Sequence, residues 1–158
     1  MLNRLQDVFR SFQRHEVKYV VIGGIAAILY GVPRATFDLD ILIEATPDNS
    51  QRLLDALLDA GLGTAALTSA RDVLVNEITI FKDRVRVDVQ TSTPGLLFVD
   101  AWTRRNTVAY QGQEFFILSK DDLVRSKRAA GRPVDLEDVR LLELPETDNA
   151  EPEGAGDA

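Results

Sequence analysis

The chain contains no cysteine, which excludes a disulfide framework and any thiolate metal site. It has one histidine, His15, so a metal cage built from several histidines is excluded as well. Long apolar runs are also missing. The longest stretch without a charge, Tyr19 to Pro33, is fifteen residues and holds a Gly-Gly, short of the roughly 18 that suggest a membrane span. The opening "MLNRLQDVFRSFQRH" interleaves charge with apolar residues and lacks the apolar centre of a signal peptide. A cytoplasmic location, with no membrane partner, is therefore expected. Bases are in short supply too, with 18 Lys and Arg against 25 Asp and Glu, a net charge of −7. The imbalance is local. Six of the acids fall between Glu143 and Ala158 with no base among them, which leaves the rest of the chain near neutral.

What remains is a chain of 158 residues, 45% hydrophobic and 27% charged, the composition of a globular protein long enough for a single core. A single domain is expected over residues 1–144. The Pro-, Gly- and acid-rich stretch 145–158 reads as a disordered acidic tail.

Periodicity supplies the elements. Leu2, Leu5, Val8, Phe9 and Phe12 form one helical stripe. "KYVVIGG" is a β-branched strand stopped by glycines, "IAAILYG" a short helix, and "TFDLDILIE" a strand with Asp38, Asp40 and Leu42 on one face. Thr46-Pro47 starts a leucine-rich helix that ends at Gly61. "NEITIF" with "VRVDVQT" and then "NTVAYQGQEFFIL" read as two hairpins. Ser119 with Asp122 opens a helix, and Asp135 opens a last one ending near Leu144. The order predicts an α/β (α+β) fold, a mixed and partly antiparallel sheet flanked by helices and closed by C-terminal helices.

Two residues in this pattern are misplaced for a buried strand. Asp38 and Asp40 sit in the apolar run "FDLDILI", where an uncompensated carboxylate costs several kcal/mol. On a strand they point the same way, with Cβ atoms roughly 7 Å apart, close enough to hold one hard cation or straddle two. A solvent-facing edge strand carries the same pattern. A third acid, Asp88, recurs among Val85, Val87 and Val89. Three aspartates on neighbouring strands suit Mg²⁺, which takes oxygen ligands and keeps positions for phosphate and water. Two such ions about 4 Å apart stabilise an in-line displacement at phosphorus. Gly23-Gly24, between strand and helix, lets backbone approach a ligand, although such a pair is also an ordinary turn. It matches neither a dinucleotide fingerprint nor a P-loop.

Gly-Gly after a strand, a helix, a gap of thirteen residues, D-x-D in the next strand and then "VRVDV" resemble the signature of the DNA polymerase β-like nucleotidyltransferase superfamily. "IGGIAAILYGVPRATFDLDILI" is similar to the small bacterial nucleotidyltransferases of the AbiEii type, toxins of toxin–antitoxin systems, and to related uncharacterised nucleotidyltransferases. The close "FFILSKDDLVRSKRAAGRPVDLEDVRLLE" resembles their helical ending, and the likeness covers about residues 16–144. The resemblance implies Asp38, Asp40 and Asp88 as catalytic metal ligands for Mg²⁺ (two ions, with Mn²⁺ as a substitute). For Asp88 the alternative role it implies is deprotonating the acceptor hydroxyl. It further implies Gly23, Gly24, Arg34, Thr36 and Lys127 as the nucleotide-binding residues. An NTP is the implied substrate, a tRNA 3′ end or a protein the acceptor, and a cognate antitoxin the partner. An antibiotic nucleotidyltransferase of the aminoglycoside or lincosamide kind, and a non-catalytic nucleotide-binding or antitoxin module, are the competing expectations; a D-x-D glycosyltransferase fits less well.

The remaining residues have plainer readings. Arg125, Arg128 and Arg132 share a helical face, suited to phosphates of nucleotide or RNA or simply to solvent. Asp138 reads as solvent-facing, His15 as exposed, and Trp102, Phe81, Phe98, Phe115 and Phe116 as packing residues.

Overall fold

A computed structural model describes residues 1–145; the acidic stretch expected to be disordered lies, from Glu146 onward, outside them. A 3-10 turn, Leu2–Leu5, runs into α1, Gln6–Arg14. The remaining elements are β1 Tyr19–Ile22, α2 Gly23–Leu29, β2 Asp38–Ile43, α3 Pro47–Asp59, a second 3-10 turn Gly63–Leu67, and α4 Ala70–Val75. They are followed by β3 Ile78–Lys82, β4 Arg86–Gln90, α5 Phe98–Thr103, β5 Asn106–Tyr110, β6 Gln113–Ile117, α6 Lys120–Ala130 and α7 Pro133–Leu142.

The six strands form one sheet in the order β3-β4-β2-β1-β6-β5. Both expected hairpins are present and antiparallel, β3 with β4 and β5 with β6. The centre is mixed: β1 and β2 run antiparallel, while β2 with β4 and β1 with β6 run parallel. β1 is buried along its whole length, as a run of β-branched residues between two neighbours should be.

The stripe foreseen on α1 packs as expected. Val8, Phe9 and Phe12 are buried, and Phe9 stacks on Phe115 at 4.2 Å between ring centres. Dispersion and hydrophobic burial of such a ring make Phe→Ala cost about 3–5 kcal/mol. Thr46 caps α3 by accepting from Asn49 N, and Ser119 caps α6 by accepting from Asp122 N.

Three details differ from the sequence reading. The helix after β1 begins at Gly23 itself, so the Gly-Gly pair opens the helix instead of forming a separate turn. Helices α4 and α5 were not expected; at six residues each they are too short to show a period. Finally, α7 starts at Pro133, and Asp135 sits one turn in, where its carboxylate accepts from Arg132 N at 3.2 Å.

Candidate active site

Pairing between β2 and β4 sets the site. Asp40 lies directly across from Asp88 and Asp38 across from Arg86, so all four side chains leave the same face of the sheet. Leu39, Ile41, Val87 and Val89 alternate with them and fill the core on the other face. The alternation that made the aspartates conspicuous in the sequence is thus the alternation that gathers them.

Three carboxylates are concentrated on one patch of the sheet. The Asp40 carboxyl is pushed up to about 7, by burial first and then by the charges of Asp88 and Asp38. Among the described residues, the base that hydrogen-bonds into this group is Arg86, a residue the sequence reading passed over. Its Nε donates to Asp88 Oδ1 at 2.9 Å and its Nη2 to Asp88 Oδ2 at 3.2 Å. The same Nε is 3.7 Å from Asp38 Oδ2. The signal available in the sequence was its spacing, two residues before Asp88 on a strand and so on the same face.

Gly23 stands against Asp40. A Cβ at Gly23 would lie 2.4 Å from Asp40 Oδ2, and the residue has φ of +70°, so two independent reasons demand glycine. A Cβ at Gly24 would meet Thr36 Cγ2 at 3.2 Å and Arg34 Nη1 at 3.4 Å. The glycine pair therefore touches the acids with one residue and the expected phosphate-binding residues with the next.

Beyond Gly24 lies a second charged cluster of opposite balance. Arg34 grips Asp138 through Nη2 at 2.7 Å and Nε at 3.3 Å. Lys127 Nζ lies 2.9 Å from Asp138 Oδ2 and 3.7 Å from Asp135 Oδ1, and Arg132 holds Asp135 at 2.7 and 3.1 Å. Three bases thus share two acids. Burial alone would raise Asp138 and Asp135. Hydrogen bonds and charge from Arg34, Lys127 and Arg132 outweigh it and hold both below the usual carboxylate range. The expectation that Asp138 faces solvent is corrected: it is 1% exposed, because two cations from distant segments converge on it.

The structure brings together Gly23 with Asp40, Gly24 with Thr36 and Arg34, and Arg34 with Lys127 through Asp138. It does not assemble the basic helical face expected from Arg125, Arg128 and Arg132, because α6 ends at Ala130 and Arg132 stands at the N-cap of α7. Arg125 is held by Asp122, which Arg104 also pairs, Arg128 is held by Glu143, and Arg132 turns to Asp135. His15 contacts Asp59 at 3.1 Å, and Trp102 packs edge-on to Phe116 with Arg105 over its ring. Among the described residues no three or more acidic or histidine side chains stand as a ready metal cage. The donor chemistry of Asp38, Asp40 and Asp88 nonetheless fits a hard cation: all are oxygen ligands, and their charge exceeds what Arg86 balances.

A mixed sheet with helices on it, carrying such carboxylates beside a Gly-Gly, defines the chain as nucleotidyltransferase-like. The fold is similar to that in the crystal structure of an antigenic nucleotidyltransferase-like protein from Paracoccidioides brasiliensis, with a TM-score of 0.55 at 16% identity, over 87% of this chain and 72% of that one. Residues 2–148 match the family described as "Nucleotidyltransferase of unknown function (DUF6036)", and the chain belongs to that family. No curated protein matches it. No helix among the described residues is long and apolar enough to cross a membrane.

Proposed function

We propose that the chain transfers a nucleoside monophosphate from an NTP to a hydroxyl acceptor. The observation that carries this reading is the reversal of charge across Gly23-Gly24: surplus carboxylate on the Asp40 side, surplus base on the Arg34 side. A metal–triphosphate complex has the complementary polarity. Asp38, Asp40 and Asp88 would hold Mg²⁺, as one ion or two, with Mn²⁺ able to replace it. Bound there, the metal would supply charge neutralisation at the α-phosphorus and the departing pyrophosphate.

The residues do the rest. Gly23 and Gly24 let the phosphates come close to backbone; Arg34 and Thr36 border that approach. Lys127, only 6% exposed in its side chain, acts through Asp138 by fixing Arg34 and adding positive field. Asp88 takes the proton of the acceptor hydroxyl as the new oxygen–phosphorus bond forms and the bond to pyrophosphate breaks.

A protein hydroxyl is the favoured acceptor. Ile80 pairs directly with Asp88, and Ile78 lies on the same face of β3; both are about half exposed, giving an apolar shelf beside the candidate base. The α6 arginines that would meet an RNA backbone are instead matched to acids. The finer reading is a cytoplasmic toxin of the AbiEii kind with a cognate antitoxin, supported by the likeness of Val20–Ile43 to those enzymes. Each α-labelled NTP, with Mg²⁺ and with protein, tRNA or aminoglycoside acceptors, should yield label on protein when products are resolved on a gel. Label on tRNA or on the antibiotic would reassign the acceptor; no label anywhere would remove the transferase reading. Protection of host growth by a co-expressed neighbouring gene tests the toxin reading separately.

A further inference from the structure

Arg86 is the feature that the nucleotidyltransferase reading leaves without a task. Its guanidinium makes a two-pronged contact with Asp88, using both carboxylate oxygens, and its Nε also approaches Asp38. A fork of this kind is the strongest and most directional pairing available to a carboxylate. The two acids it engages are also those furthest apart in register, Asp38 at the start of β2 and Asp88 diagonal to it on β4. The contact is possible because Arg86 lies two residues before Asp88 on the same strand and directly across from Asp38. Its side chain is 36% exposed, so it can leave without disturbing the core.

We propose that Arg86 is an internal counter-ion that competes with the divalent metal for these carboxylates and must be displaced for the metal to bind. The proposal rests on the metal-dependent reading of the site. A metal at either oxygen of Asp88 would share that oxygen with an Arg86 hydrogen bond, which weakens both contacts. A guanidinium left in place would also repel the incoming cation. The arginine therefore keeps three mutually repelling acids organised while no metal is present and weakens the affinity for free metal.

The test is Mn²⁺ binding alone, by calorimetry and by electron paramagnetic resonance, with no nucleotide present. Arg86→Gln should bind Mn²⁺ at least about tenfold more tightly than wild type, since a competing cation is removed. Arg86→Lys, which keeps the charge without the fork, should fall between the two. The gain should vanish when Arg86→Gln is combined with Asp88→Asn. In wild-type protein, the Arg86 Nε–H resonance should shift as Mg²⁺ is added, a readout that needs no variant to fold. Unchanged or weaker Mn²⁺ binding by Arg86→Gln, with binding still lost in Asp40→Asn, would overturn the competition and leave the metal site standing. Failure of wild type, Arg86→Gln and Arg86→Lys all to bind Mn²⁺ would remove the metal reading and the proposal with it.

Discussion

Two clusters of aspartates flank the Gly23-Gly24 corner, and they are balanced in opposite senses. Asp38, Asp40 and Asp88 share one base, Arg86, and Asp40 is driven upward to about 7. Asp135 and Asp138 share three bases, Arg34, Lys127 and Arg132, and both are held below the usual range. The residue type is the same in both, and the second pair is the more deeply buried; what sets the opposite balance is the supply of cations. The first cluster is left with charge that a cation would relieve. The second is internally satisfied and carries one positive charge to spare. Arg132 links the two, since it also feels the charge of Asp40. A surplus of this kind is stored by the fold: the acids are fixed by β2 and β4, and the bases are gathered by Asp135 and Asp138 on α7.

The comparison can be broken at either end. Asp40→Asn should remove the acid most central to the first cluster, and transfer should fall by about a thousandfold or more, a loss of the size seen when charge stabilisation at a reacting centre is removed. Circular dichroism should show the fold retained, because the side chain keeps its shape. Asp138→Ala should break the second cluster by leaving Arg34 and the buried Lys127 without their shared partner. The expected cost is about 3–5 kcal/mol of stability, read as a lower urea midpoint.

Smaller changes sharpen the contrast. Gly23→Ala should push Asp40 aside and strain a left-handed residue, costing about 1–3 kcal/mol and most of the transfer activity. Gly24→Ala, where the nearest atom is a methyl at 3.2 Å, should cost less on both counts. The pH response should separate the second cluster by its sign. Because Asp135 and Asp138 have depressed values in the folded state, their stabilisation is present above the ordinary carboxylate range. It is lost as pH falls through their lowered values. Acid unfolding curves of Asp138→Asn should be flatter on that limb than those of wild type. An identical limb would mean that the cluster contributes nothing through ionisation.

Much of this was legible from the sequence because local rules agreed. Strand alternation exposed Asp38, Asp40 and Asp88 as acids on an otherwise apolar pattern, and the caps at Thr46 and Ser119 placed α3 and α6 correctly. What was missed depends on long-range pairing or short length. Asp138 looked solvent-facing because its partner Arg34 lies 104 residues away in the chain. Arg86 looked like any charged strand residue until β2 was seen to run parallel beside β4. Helix α4 had a readable cap, Ser69 accepting from Asp72 N, but no period long enough to support it.

If the two oppositely charged clusters together form one site for a metal-bound triphosphate, nucleotide binding must depend on the metal. Calorimetry of the wild-type chain with each NTP, in Mg²⁺ and again in chelator, measures this most directly. At least one NTP should bind with Mg²⁺ present and lose most of its affinity in chelator. NTP binding of equal strength in chelator, or no binding of any NTP with Mg²⁺ present, would contradict it.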